Sequence, residues 1–262
     1  MIVDANQTEF GYELIACVPF AHWLHLNNML TGVKSCKDTR CLYYFTENHE
    51  EIYSSRSEFK KPNVPNGNIH VPMLDLSRWS PPSFKDYYKN DKFVWDKPTL
   101  VICNKFKNGG RNPIGLSHEV LSELFSYFYD DYQIIYNRPL HKNITHDESP
   151  QVDIGDYDLI KNDFPEIIDI NKLYVEYSNL TCNMLQVMIM ANCENFISMQ
   201  GGSSIFCSYF GGTNLIYAYE GSELGCGSYH NWYNKLSGAK IYHSSTIDDL
   251  KRDSLRLFGK HS

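Results

Sequence analysis

Gln200-Gly201-Gly202-Ser203-Ser204, with Lys105, Arg111 and Arg138, have the types and spacing to hold a phosphate or a diphosphate. Two adjacent glycines let the backbone bend sharply and let a ligand come close to it. Ser203 and Ser204 then stand where a helix begins, with free amide donors and hydroxyls facing one way. A helix start of this kind suits an anion. The same five residues also make a plain tight turn with an N-cap, and both readings stay open here. A second kind of chemistry, proton removal by a general base, has its candidates in the first half: His22, His25, Glu47, His49, Glu50 and Glu51. His25, Glu47 and His49 are the catalytic candidates. His22 and His25 are one turn apart on a possible helix and share a face. Glu47 and His49 directly follow the apolar run Leu42 to Thr46. Each of these also reads as an ordinary packed histidine or a surface carboxylate. Cys17 near His22 and His25 suggests a Cys–His hydrolase, but it lies in an apolar run and no orienting third group is readable.

The elements that must position these residues are clearest in the second half. Leu100 to Asn104 reads as a buried strand, with Gly109, Gly110 and Pro113 marking a loop after it. Ser117 caps a helix whose stripe is Val120, Leu121, Leu124, Phe125 and Phe128. Tyr132 to Tyr136 is the next strand, Tyr157–Ile160 and Ile167–Ile170 are short elements, and Leu180 to Cys193 is a helix. Asn195 to Glu220 then reads strand, loop, helix, turn, strand, one crossover of a parallel sheet. Thr246 with Asp248 and Asp249 opens a C-terminal helix, with acidic residues where the dipole favours them. In the first half, Leu42 to Thr46 is expected as a strand after the polar loop SCKDTR, and Ile69 to Leu76 as another. The alternation of strands and helices predicts an α/β fold with parallel sheets, divided near Asp96 into residues 1–97 and 98–262. Open parallel sheets bind ligands at the carboxyl ends of their strands. There this reading gathers Asn104, Lys105 and Arg111, then Asn137 and Arg138, then Gln200 to Ser204.

Composition bounds the rest. A net charge of −7 over 262 residues argues against general nucleic-acid binding. With 21% charged and 14% aromatic residues the chain is globular. No apolar run approaches a membrane span, and the start MIVDANQTEF has the pattern of no leader. Of the eight cysteines, Cys17, Cys103, Cys182, Cys193 and Cys207 lie in apolar or helical segments as buried thiols do, which predicts a reducing cytoplasmic setting. Cys36 and Cys41 lack the spacing and the second pair of a zinc site. No Asp-x-Asp stands in a strand-end loop, so neither a metal nor a resident cofactor is expected.

LVICNKF, QIIYNRP and NMLQVMIMANCENFISMQGGSSIFCSYFGGTNLIY together resemble the donor-binding domain of GT-B-type glycosyltransferases of the capsule, lipopolysaccharide or fucosyltransferase-like kind. CVPFAHWLHLNNMLTGV followed by CLYYF is loosely similar to the acceptor lobe of fucosyltransferase-like proteins. The resemblance covers the last 160 residues or so better than the first hundred. It implies two Rossmann-like lobes, a small N-terminal acceptor lobe and a C-terminal donor lobe. It also implies sugar transfer from a nucleotide-diphosphate donor, its co-substrate, to a glycan or lipid-linked acceptor, with possible peripheral membrane contact. Transfer would be inverting and metal-independent. Lys105, Arg111, Arg138 and Gln200 to Ser204 would hold the donor, and a His or Glu of the first half would be the base. Where the fucosyl-type pattern has His-x-Arg, this chain has Asn104–Lys105 and Asn137–Arg138, which leaves sugar and base unnamed. The alternative is a non-catalytic nucleotide- or sugar-binding protein.

Overall fold

The computed structural model describes residues 1–57, 60–65, 76–105, 107–109, 112–145 and 151–260. They build an α/β protein around two parallel sheets. The first holds β1 (Ile2–Asp4), β2 (Gly32–Cys36) and β3 (His49–Tyr53) side by side in that order. The crossover from β1 to β2 is one helical run: α1 (Phe10–Tyr12), a π-helical turn over Glu13–Cys17, and α2 (Val18–Leu26). Pro19 explains part of the irregularity. It has no N–H to give to Ile15, four residues back. The Trp79 indole donates to that Ile15 carbonyl at 2.6 Å, and the Tyr209 hydroxyl to Leu14 at 2.5 Å.

After α3 (Phe84–Tyr88) the chain enters the second sheet at β4 (Thr99–Cys103) and forms a small antiparallel hairpin, β5 (Lys107–Gly109) with β6 (Asn112–Ile114). It continues through α4 (His118–Phe128), β7 (Gln133–Asn137), α5 (Asp156–Asp163) and β8 (Ile168–Asp169). Next come α6 (Ile170–Glu176), α7 (Cys182–Met190), β9 (Asn195–Met199), α8 (Gly202–Cys207) and β10 (Thr213–Tyr217). The short α9 (Ser222–Gly225) and α10 (Ser228–Asn231), then β11 (Lys240–Ser244) and α11 (Ile247–Phe258), complete it. Across this sheet the order is β11-β10-β9-β4-β7-β8. Counted along the chain from its own first strand this is 6-5-4-1-2-3, the doubly wound order. Growth of the sheet reverses between β4 and β9, and the crevice at a reversal is where such folds take ligands.

Both faces of the second sheet are covered, so its strands are apolar runs without alternation of polarity. Leu100, Ile102, Ile134, Tyr136, Ile197 and Leu215 pack on one side, under α4, α5 and α11. Val101, Cys103, Ile135, Phe196 and Ile216 pack on the other, in a cluster that also takes in Val3, Leu14, Phe20 and Tyr43 from the first half. Caps hold where the spacing predicts them, Ser117 accepting from Val120 N–H and Thr246 from Asp249, and Thr181 adds one that it does not, accepting from Met184.

Three expectations need correction or lie out of reach. Leu42 to Thr46 is no strand; Arg40–Tyr43 is a 3₁₀ helix, and the strand that pairs with β2 is His49–Tyr53. Glu50, Glu51 and Ile52 of that strand are exposed, so backbone pairing and not apolar patterning makes it. The polar loop SCKDTR begins inside β2, whose last residues are Ser35 and Cys36. The expected strand Ile69 to Leu76 lies outside the described residues except for Leu76, which opens a 3₁₀ helix. No helix among the described residues is long and apolar enough to cross a membrane.

Candidate functional site

Contacts between the halves bring the carboxyl edges of the two sheets together. A helix that follows a strand starts at that strand's carboxyl edge, and one that precedes a strand also starts there. By this rule α1 starts at the carboxyl edge of the first sheet, and α7 and α8 start at that of the second. Gly11 of α1 lies on Gly202 of α8, close enough that a Cβ on Gly11 would be 3.3 Å from the Gly202 nitrogen and Cα. Asp38, just past β2, accepts the Asn183 N–H at 2.8 Å at the start of α7, and the Asp38 carbonyl accepts from the Asn183 side chain at 2.5 Å. The Thr145 hydroxyl donates to the Lys37 carbonyl at 3.1 Å. The strand-end edges of the two sheets therefore meet here.

At the reversal point, Gln200 and Gly201 leave β9 beside Asn104 and Lys105, which leave β4. Gly201 has φ 93° and ψ −150°, a conformation essentially reserved for glycine. A Cβ there would also sit 2.9 Å from Lys105 Nζ, so the turn is kept bare where the ammonium approaches it. Gln200 Oε1 accepts from the backbone of Tyr219 at 3.1 Å and of Glu220 at 3.4 Å, tying the loop after β10 to the same turn. The hydroxyls of Ser203 and Ser204 turn inward, donating to the carbonyls of Met199 at 2.9 Å and Gly201 at 2.8 Å. Gly202 is covered by Phe10 and Gly11. What this turn offers a ligand is therefore bare backbone at Gly201 and the Lys105 charge.

Arg138, at the end of β7, has a different setting. Its guanidinium, 3% exposed, meets Asp156, 0% exposed, at 2.6 Å, and donates to the Val152 carbonyl at 2.5 Å. Tyr136 donates to the same carboxylate at 2.6 Å, and Asn104 to the Tyr136 hydroxyl at 3.1 Å. Asn104 also exchanges two hydrogen bonds with the Leu116 backbone. Arg138 is thus the centre of a buried network that fixes the ends of β4 and β7. Burial works against its charge, but Asp156 more than restores it and its pKa rises. Next to it Asn137 Nδ2 bonds Gln186 at 2.9 Å, while Asn137 Oδ1 is buried without a partner. Arg111 lies outside the described residues.

The three base candidates of the first half share the opposite edge. His49 is the first residue of β3, and Glu47 precedes it. His25 is in the last turn of α2, beside Asn27 to Met29, which lead back to the start of β1 through a bond from the Met1 ammonium to the Met29 carbonyl. His49 is 7% exposed and bonded to Ser35 Oγ at 2.6 Å; burial pushes its pKa down to about 4. His25 stacks on His22 at 6.3 Å and meets the Phe45 ring at a tilt at 5.4 Å, and Glu47 is exposed. The first half brings carboxylates to this joint: Asp38, past β2, which accepts from Asn183, and Glu9, which immediately precedes α1. Phe10 and Gly11 beside it rest on Gly202, and its charge is felt at the Tyr233 phenol. Its only sequence signal is that it precedes the helix whose first turn meets Gly202, and that meeting is not written in any local pattern. No family model, curated protein or solved structure matches this chain.

Proposed function

We propose that this protein is a compact GT-B-like glycosyltransferase that moves a sugar from a nucleotide-diphosphate donor to a glycan or lipid-linked acceptor. Residues 1–97 serve the acceptor and residues 98–262 hold the donor. The observation that carries this reading is the approach of Lys105 Nζ to Gly201, in a glycine-only turn, at the reversal point of a doubly wound sheet. A diphosphate needs a cation and close backbone approach, and both are supplied there. Lys105 carries the charge on the departing diphosphate. Arg138, bound to Asp156, holds the loop ends in register, and the Gln200–Gly201 turn lies against the phosphates.

Transfer with inversion needs a base opposite the donor. His25, Glu47 and His49 sit at the far edge of the first sheet, and Glu9 sits at the joint, so Glu9 takes the role that the resemblance gave to a His or Glu of the first half. The test is release of nucleoside diphosphate from a panel of UDP, GDP, CDP and dTDP sugars with glycan acceptors. Release that needs both donor and acceptor supports the reading. Binding of donors without release under all acceptors favours the non-catalytic alternative, and absence of both binding and release removes both.

A further inference from the structure

A cavity of about 250 Å³ opens at the amino edge of the second sheet, at the other end of the strands from Gly201. Gly211 leads into β10 and Ser237 into β11, and both line it. The five residues of β10 separate this edge from the carboxyl edge, a distance of about 16 Å. The cavity therefore lies outside the proposed donor site. Its walls come from three stretches distant in sequence, residues 81–86, 209–211 and 236–237.

These walls are set before any ligand arrives. Pro81 and Pro82 have fixed φ angles. Gly211 has φ 70°, which favours glycine, and its N–H donates to Ser237 Oγ at 2.9 Å. Ser237 Oγ in turn donates to the Ser208 carbonyl at 2.6 Å, tying the approach to β11 to the end of α8. The Lys85 ammonium donates to the Cys193 carbonyl at 3.3 Å and meets the Glu194 carboxylate. A Cβ on Gly211 would lie 3.6 Å from Lys85 Nζ, so the ammonium stands beside bare backbone. Preformed walls spare a ligand the cost of ordering them.

The lining divides by polarity. Pro82, Tyr209 and Leu236 are buried and give an apolar floor, while Asp86 is exposed and Lys85 half-buried at the rim. One oxygen of Asp86 accepts from the Ser83 hydroxyl at 2.5 Å, and a carboxylate has lone pairs for further donors. An ammonium has three N–H groups, of which Cys193 and Glu194 take two at Lys85. Glu194 competes weakly for it, because its side chain is 64% exposed and exposed pairs contribute little. A cavity of about 150 Å³ takes benzene, so this one suits a molecule of about ten heavy atoms. Such a molecule needs a cation for Asp86, an anion for Lys85 and a hydrocarbon part for the floor. A free α-amino acid with an apolar side chain carries all three on one carbon. We infer that this cavity binds such an amino acid, its ammonium on Asp86, its carboxylate on Lys85 and its side chain against the floor. The inference stands apart from the donor reading of the Gly201 turn.

The experiment is calorimetric titration of the full chain with valine, leucine, methionine and phenylalanine, each beside its amide and its deaminated acid. The amide lacks the carboxylate, and the deaminated acid lacks the ammonium. The same titrations are run on Lys85→Gln and Asp86→Asn. Asp86→Asn keeps an acceptor for the Ser83 hydroxyl, and both side chains reach solvent, so the unliganded variants should unfold at the midpoint of the parent. The expected result is that at least one amino acid binds the parent. Its amide and its deaminated acid, and each variant, should show binding about tenfold or more weaker. No binding of any of the four amino acids overturns the assignment. So does an amide or deaminated acid that binds as well as its amino acid, or a variant that keeps the affinity of the parent. The diphosphate reading is decided separately, by titration with UDP and GDP, and survives any of these outcomes.

Discussion

Arg138 shows how one residue changes meaning once its surroundings are known. As a cation before a proline at a strand end it resembles a phosphate ligand; in the fold its charge is answered by Asp156 at 2.6 Å with both groups buried. Removing one partner of such a pair strands the other charge away from water. Asp156→Ala should therefore lose about 3–5 kcal/mol of stability, read by urea unfolding. A loss under about 1 kcal/mol, the range of an exposed pair, would contradict the network. Lys105 and Glu9 carry the chemistry in this account, and Glu9→Gln tests the second of them. The variant should lower turnover about 10²–10⁴-fold and leave donor affinity within twofold, because a base acts on the acceptor proton. Equal losses in turnover and donor affinity would assign Glu9 to binding instead.

Among the elements, the joint between the sheets has a pH signature. Asp38 caps the start of α7, and burial raises its pKa from 3.8 to about 6. Its folded form holds a proton more tightly, so its contribution is fully present below pH 3.8 and is lost as pH rises through 6. His49 works in the other sense: its contribution is present above 6.5 and is lost as pH falls toward 4. The two oppose each other over one window, and the parent chain should show little net slope from them. Asp38→Asn keeps an acceptor for the Asn183 N–H and removes the first titration. It should raise stability at pH 7.5 by up to about 3 kcal/mol and leave pH 3.5 nearly unchanged. Equal urea midpoints for the two chains at pH 7.5 would show that Asp38 is not strained by burial. The elements also show what was legible in the sequence. Ser117, Thr246 and the stripe Val120 to Phe128 announce their helices, and doubly covered strands such as Leu100 to Cys103 announce themselves as apolar runs. β3 does not, because three of its five residues face outward, and the run Cys41 to Tyr43 is buried on a 3₁₀ turn that imitates a strand in composition. That Lys105 and Gly201 lie on one strand-end edge followed from the alternation of strands and helices, while their adjacency comes from β4 pairing with β9. The place of Glu9 did not follow from it, because the contact of its helix with Gly202 depends on how one sheet docks on the other.

At the scale of the molecule, two parallel sheets share an apolar cluster and face each other across their carboxyl edges. The reversal point of the larger sheet lies where those edges meet, with Lys105 beside the Gly201 turn and Gly11 on Gly202. Under the proposed function, the diphosphate of the donor meets the Lys105 ammonium there. Ligands that bind only the native state should raise the unfolding midpoint in step with their affinity, which offers a first screen among bases. The decisive measurement is calorimetric titration of the parent chain and of Lys105→Ala with UDP, GDP, CDP and dTDP. The account predicts that at least one diphosphate binds the parent chain and that Lys105→Ala weakens it by about 1.5–3 kcal/mol, roughly tenfold to a hundredfold. Binding that is the same in both chains, or no binding of any of the four, would contradict it.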